Sequence, residues 1–294
     1  MSRPEILRTV AEFRARADQV RAEGGRLGLV PTMGALHDGH RALMREAARR
    51  ATATAVTIFV NPTQFGPNED LARYPRDLDG DVEQCAKEGV AFVFAPPISE
   101  MYAPDERTRV HVAGVSDALC GASRPGHFEG VATVVTKLFA VAGPSVAVFG
   151  KKDYQQFRVI QTFTRDLLLP VEIVGHPTVR ESDGLALSSR NRYLSADERR
   201  RALAIPRGLA EAVSRFTAGE RRVRALTEPL ERALDEASLR VDYVTVANAD
   251  DVTPFPTSVS TGPRALLALA AFAGTTRLID NVVLGEDPAP LVVG

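Results

Sequence analysis

Four short apolar runs dominate the first half of the chain: LGLV at 27–30, TATAVTIFV ending at Val60, GVAFVFA ending at Ala95 and SVAVFG ending at Gly150. Each is rich in β-branched or aromatic residues, and charged stretches with helical spacing separate them. A fifth, VEIVG, occupies 171–175. Such alternation constrains the architecture to βαβ units, in which parallel strands are joined by crossover helices. The intervening helices are predicted at Asp38 to Arg50, Asp79 to Glu88, Val131 to Ala142 and Asp153 to Leu168. Ahead of them, Ile6, Leu7, Val10, Phe13, Ala17 and Val20 recur at helical spacing before Gly24 and Gly25, where glycine suits a helix end. The predicted fold is α/β, with a Rossmann-like parallel sheet over residues 1–176.

The texture changes near residue 177. ADERRRALAIPRGLAEAVSRF and ERRVRALTEPLERALDEA read as two amphipathic helices, and VDYVTVA and RALLALAAFAGTTRLIDNVVL as strands. A smaller α+β domain is therefore expected over 177–294, and a total of 294 residues suits two domains at about 150 residues each.

Charge and cysteine content narrow the partners. Lys and Arg number 36 against 37 Asp and Glu, so no summed field draws the chain to nucleic acid or to an anionic membrane. Cys85 and Cys120 form no CxxC pattern, which fits a reducing compartment and gives no thiolate metal site. The charged N-terminus lacks the apolar core of a signal peptide, and no run approaches the roughly 18 apolar residues of a membrane span. A cytoplasmic protein is expected.

In parallel sheets ligands bind beyond the carboxyl ends of the strands. Three polar clusters fall there: PTMGALHDGH at 31–40, NPTQFG at 61–66 and GKKDYQQ at 150–156. A P-loop is excluded, since Gly150, Lys151 and Lys152 are followed by Asp153, and no GxGxxG occurs. His37 and His40 open a predicted helix, whose N-terminal N–H groups suit phosphate. Three uses of the pair stay open on these residues alone: metal ligation with a third ligand from His111, His127 or His176, hydrogen bonding to phosphate, or solvated histidines beside an Asp38 helix cap.

PTMGALHDGH, IFVNPTQF, YPRD, RPGHFEGV, VFGKKDYQQ, LALSSRNRYLS and TRLIDN together resemble the pantothenate synthetases, from about residue 5 to residue 284. That family lies in the HxGH nucleotidyltransferase-like superfamily and resembles class I aminoacyl-tRNA synthetases in activating a carboxylate with ATP. The resemblance implies ATP-dependent condensation of (R)-pantoate with β-alanine through pantoyl adenylate, releasing AMP and pyrophosphate, in pantothenate (vitamin B5) and coenzyme A biosynthesis. A nucleotidyltransferase moving AMP to a phosphorylated acceptor is the alternative.

The same resemblance implies His37, His40, Lys152 and Arg190 as catalytic residues, with His40 the proton donor. It implies ATP contacts from Met33, Gly34, His37, His40, Gly150, Lys151, Lys152, Asp153, Val179, Leu187, Ser188, Ser189 and Arg190. Gln64, Gln156, Asn61 and Arg124 are the implied pantoate or β-alanine residues. Mg²⁺ is expected to accompany ATP on its phosphates rather than in a protein cage, with Asp77, Asp79 and Asp81 a weak outer shell. Relatives imply a homodimer, and the C-terminal domain is expected to close over the site.

Overall fold

In the computed structural model, which describes residues 3–67 and 69–291, the chain opens with a strand, β1 (Glu5–Leu7), where helical spacing had predicted a helix. Thr9 sets the boundary. Its hydroxyl accepts from the Glu12 N–H at 3.2 Å while the Glu12 carboxylate accepts from the Thr9 N–H at 2.9 Å, a reciprocal cap that starts α1 (Val10–Ala22). Ile6 and Leu7 continue the apolar spacing only because they too face the interior.

The elements that follow are β2 (Leu27–Thr32), α2 (Asp38–Arg50), β3 (Ala53–Ile58), α3 (Leu78–Lys87), β4 (Phe92–Phe94), the short α4 (Ile98–Met101) and α5 (Cys120–Ser123), α6 (His127–Ala142), β5 (Ser145–Gly150), α7 (Tyr154–Asp166) and β6 (Val171–His176). All strand pairs among β1 to β6 are parallel, in the order β1-β4-β3-β2-β5-β6. Because successive side chains alternate between faces, Val30, Val56 and Val93 meet Leu43, Met44 and Val82 from α2 and α3. On the other face Phe13 of α1 stacks on Phe94 at 4.7 Å and lies edge-on to Phe92 at 6.1 Å, and α6 packs beside α1. Chain order reverses direction at the adjacent strands β2 and β5, so the segments after Thr32 and after Gly150 leave from the switch point of the sheet.

Further along come α8 (Ala196–Ala202), α9 (Ala204–Thr217), α10 (Val223–Glu236), β7 (Arg240–Ala247), β8 (Ala265–Ala273) and β9 (Thr276–Leu284), the strands antiparallel in that order. Three helices stand where two were predicted. Pro206 has no N–H to donate to Ala202, four residues earlier, and the helix divides at Leu203. Leu209, Leu226 and Leu230 from α9 and α10 share a core with Leu267, Leu269 and Val282 of the strands.

The expected parallel α/β sheet and the smaller α+β part are both present. By packing the chain forms two compact units. One comprises residues up to Ala113 with Arg124–Lys151 and Val159–Pro177; the other comprises Gly114–Ser123, Lys152–Arg158 and residues from Thr178 onward. Among the described residues no helix is long and apolar enough to cross a membrane.

Candidate active site

In the first unit, β2 runs into a turn with two positive φ angles, 83° at Gly34 and 52° at Ala35. A Cβ at Gly34 would stand 2.7 Å from Oδ2 of Asp81, so only glycine fits. That carboxylate, 5% exposed, accepts from the Ala35 N–H at 2.9 Å and the Leu36 N–H at 2.7 Å. These bonds stabilise the strained turn and aim the chain into α2.

The histidines at the start of α2 cap each other. Nδ1 of His37 accepts from the Gly39 N–H at 3.2 Å, and Nδ1 of His40 accepts from the His37 N–H at 3.3 Å. Their rings lie 4.1 Å apart. An imidazole nitrogen that accepts cannot carry the proton, so each ring holds its hydrogen on Nε2. The cap that one of the three alternatives gave to Asp38 is supplied by His37, and Asp38 pairs with Arg41 at 3.0 Å.

After β3 a 3-10 turn, Pro62–Gln64, lies against α6. Gly130 permits the approach: a Cβ there would meet the Thr63 carbonyl oxygen at 2.5 Å. The Gln64 carbonyl accepts from His127 Nδ1 at 2.9 Å and from Arg124 at 3.4 Å. The Gln64 amide accepts from Asn61 Nδ2 at 3.0 Å, and its nitrogen donates toward Met33 Sδ at 3.3 Å. Met33 and Gln64, from different strand ends, are therefore brought together. Arg124 grips both oxygens of Glu69, at 2.7 and 2.6 Å. Phe59, Val134, Val135 and Phe149 are all buried.

Of the remaining predicted residues, Gly150 and Lys151 belong to the first unit, and Lys152, Asp153, Gln156, Val179, Leu187, Ser188, Ser189 and Arg190 to the second. The Lys152 carbonyl accepts from Asn281 Nδ2 at 2.7 Å, and its ammonium lies 4.0 Å from Asp153. The two glutamines that follow divide in role. Gln155 is buried, donating to the Val115 and Ala118 carbonyls at 3.0 and 2.7 Å and accepting from the Cys120 N–H at 3.0 Å. Gln156 is only half-buried.

Val179 and Leu187 are tied by a backbone hydrogen bond of 2.9 Å at the base of a hairpin. Beyond it Ser188 caps a 3-10 turn, Ser189–Tyr193, its hydroxyl accepting from the Arg190 N–H at 3.2 Å. The segment is pinned on both sides. Asn191 donates to Glu181 at 2.6 Å and to the Ala186 carbonyl at 3.0 Å, and Arg199 holds Glu181 and Asp183 at 2.5 and 2.6 Å.

The acidic run is committed elsewhere: Asp77 accepts from the Gly80 N–H, Asp79 pairs with Arg3, and Asp81 holds the turn described above. No group of three His, Cys, Asp or Glu side chains that could hold a metal occurs among the described residues. Sequence reasoning assigned no part to Tyr102, Gly130 or Asn281, and treated Asp81 only as an outer magnesium shell. A buried polar pair inside the apolar strand TRLIDNVVL was the available signal for Asn281.

The sequence profile of pantoate-beta-alanine ligase matches residues 5–283. The chain belongs to the pantoate-beta-alanine ligase family. Among its relatives in that ligase family, the pantothenate synthetase of Myxococcus xanthus (strain DK1622) is 55% identical over 285 residues, covering 97% of each chain. That of Moorella thermoacetica is 50% identical over 281 residues, covering 95% of this chain and 98% of its own. The crystal structure of pantothenate synthetase from Thermus thermophilus superimposes with a TM-score of 0.87 at 43% identity, covering 95% of this chain and 99% of that one. The pantoate-beta-alanine ligase of Francisella tularensis, complexed with beta-gamma ATP and beta-alanine, gives a TM-score of 0.76 at 30% identity, covering 97% and 99%.

Proposed function

We propose that this chain joins pantoate to β-alanine at the expense of ATP. A carboxylate resists attack by an amine until one of its oxygens becomes a good leaving group. In the first step a pantoate carboxylate oxygen bonds to the α-phosphorus of ATP and the bond to pyrophosphate breaks. In the second the amine of β-alanine attacks the acyl carbon, AMP departs, and the amine gives up a proton.

The observation that carries this reading is the mutual capping of His37 and His40, which leaves an Nε2–H on each ring. Such donors suit phosphate oxygens and a departing pyrophosphate, and His40 is the proton donor in this reading. Lys152 and Arg190 add positive charge for the phosphates, and Ser188 and Ser189 add hydroxyls. Met33, Gly34, Gly150, Lys151, Asp153, Val179 and Leu187 complete the nucleotide contacts in this reading. With no covalent enzyme intermediate, rate acceleration comes from positioning and charge neutralisation; orientation alone contributes about 7–11 kcal/mol in favourable cases.

Gln64 and Gln156 bind pantoate in this reading, as polar groups that hold hydroxyls and a carboxylate without adding charge. Mg²⁺ would accompany ATP and supply charge neutralisation for its phosphates, held by no protein cage, which fits an acidic run already engaged at Asp77, Asp79 and Asp81.

Purified protein with ATP, Mg²⁺, pantoate and β-alanine should release AMP and pyrophosphate, and omission of either acid should abolish AMP release. ADP as the nucleotide product would refute the adenylate route. AMP transfer to a phosphorylated acceptor, with no amide formed, would replace it by the nucleotidyltransferase reading.

A further inference from the structure

Asn61 is 1% exposed, and the hydrogen bonds around its amide have a direction that chemistry alone dictates. One end of the amide lies 3.1 Å from the Gly130 carbonyl oxygen. A backbone carbonyl only accepts, so the atom facing it is the nitrogen. The second hydrogen of that nitrogen points to the Gln64 side chain at 3.0 Å, so the Gln64 atom there is its oxygen. The Asn61 oxygen is then left to face two hydroxyls, Tyr102 at 2.7 Å and Thr63 at 3.0 Å, which stand 3.1 Å from each other.

Tyr102 is itself held firmly. The Lys137 ammonium lies 4.2 Å from its ring centroid and is fixed by Glu106 and the Met101 carbonyl. Burial pushes the phenol up from its ordinary value, so it keeps the proton it donates. At the other end of the chain of bonds, the Gln64 nitrogen meets the weak acceptor Sδ of Met33, at 3.3 Å, which a substrate oxygen outcompetes.

We infer that Tyr102 is a positioning residue for the acid substrate: with Thr63 it orients Asn61, and Asn61 turns the N–H edge of Gln64 toward an acceptor oxygen of pantoate. This rests on the reading that Gln64 binds pantoate. Asn61, with both hydrogens and its oxygen engaged, acts here through Gln64.

The test is a double-mutant cycle. Tyr102→Phe keeps the ring and removes one donor, and it should raise the KM for pantoate about tenfold, the scale of one lost buried hydrogen bond. The KM for ATP and kcat should stay at their original values, and the unfolding midpoint should fall by no more than the loss of one hydrogen bond accounts for. In a Gln64→Ala background the same substitution should add nothing. Thr63→Val, which removes the other donor, should act in the same direction and serves if Tyr102→Phe does not fold. An unchanged pantoate KM in Tyr102→Phe and Thr63→Val, or an equal increase in both backgrounds, would overturn the inference. If Gln64→Ala alone leaves the pantoate KM unchanged, the assignment of Gln64 fails instead, and the inference with it.

Discussion

The Arg180 guanidinium meets both carboxylate oxygens of Asp280, at 2.7 and 3.0 Å, with the aspartate side chain only 1% exposed. Asp280 also accepts from the Asn281 N–H at 2.8 Å. The middle of β9 thus anchors the hairpin that leads to Ser188 and, through Asn281, the backbone of Lys152. Removing one partner of such a pair strands the other charge. Asp280→Ala is expected to cost about 3–5 kcal/mol, read as a lower urea midpoint in equilibrium unfolding. A change within the error of a surface substitution would contradict this account.

His40 has two separable jobs. Its Nδ1 accepts from the His37 N–H, and its Nε2–H is the proposed phosphate donor. The side-chain oxygen of asparagine can take the place of Nδ1 but nothing replaces Nε2. His40→Asn should therefore leave stability within about 0.5 kcal/mol while lowering adenylate formation by about 10²- to 10³-fold, the usual loss for a transition-state donor. Rapid-quench measurement of pyrophosphate release checks the rate, and thermal unfolding checks the fold.

Much of this architecture is legible in the amino-acid sequence itself. The alternation of apolar runs and charged helices carries the parallel sheet, because burying both faces of a strand demands continuous apolar residues. The helix starting at Asp38 was readable from the glycine and polar residues before it. The roles within the turn were not, since the reciprocal histidine cap depends on backbone angles that spacing does not encode. Nor was the first strand: apolar spacing continues through Ile6 and Leu7, and the Thr9–Glu12 cap together with pairing to the distant β4 makes them strand. Gly130 and Tyr102 act on residues 67 and 41 positions away, through contacts that a linear reading cannot pair.

Gly130 gives a steric prediction. A methyl group there would overlap the Thr63 carbonyl oxygen and the Gln64 backbone nitrogen, at 2.5 and 2.7 Å. Gly130→Ala is expected to destabilise by about 1–3 kcal/mol and to raise the KM for pantoate, since relief requires moving the turn that carries Gln64. A crystal structure of the variant with an unmoved turn would sink this explanation.

Glu69 gives a pH prediction. Burial alone would push its carboxyl up, but the hydrogen bonds and charge of Arg124 bring it below the ordinary 4.5. A carboxyl held low in the folded state adds stability above its unfolded value, and that stability is lost as pH falls through the folded one. The stability difference between the unaltered chain and Glu69→Gln should therefore be largest above 4.5 and shrink below it. Denaturant titrations across that range read it directly; a difference that grows in acid would reverse the sign of the argument.

The strand order also sets a timetable for translation. Among the described strands β1 pairs with β4 alone, Glu5 facing Phe92, so once made β1 waits for its partner through about 90 further residues, or about 5–18 s at ordinary synthesis rates. Meanwhile β2, α2 and β3 find their contacts with one another among near neighbours in the chain. The histidine-bearing turn, complete once Asp81 has been made, thus has all its partners before the β1 edge of the sheet has its own.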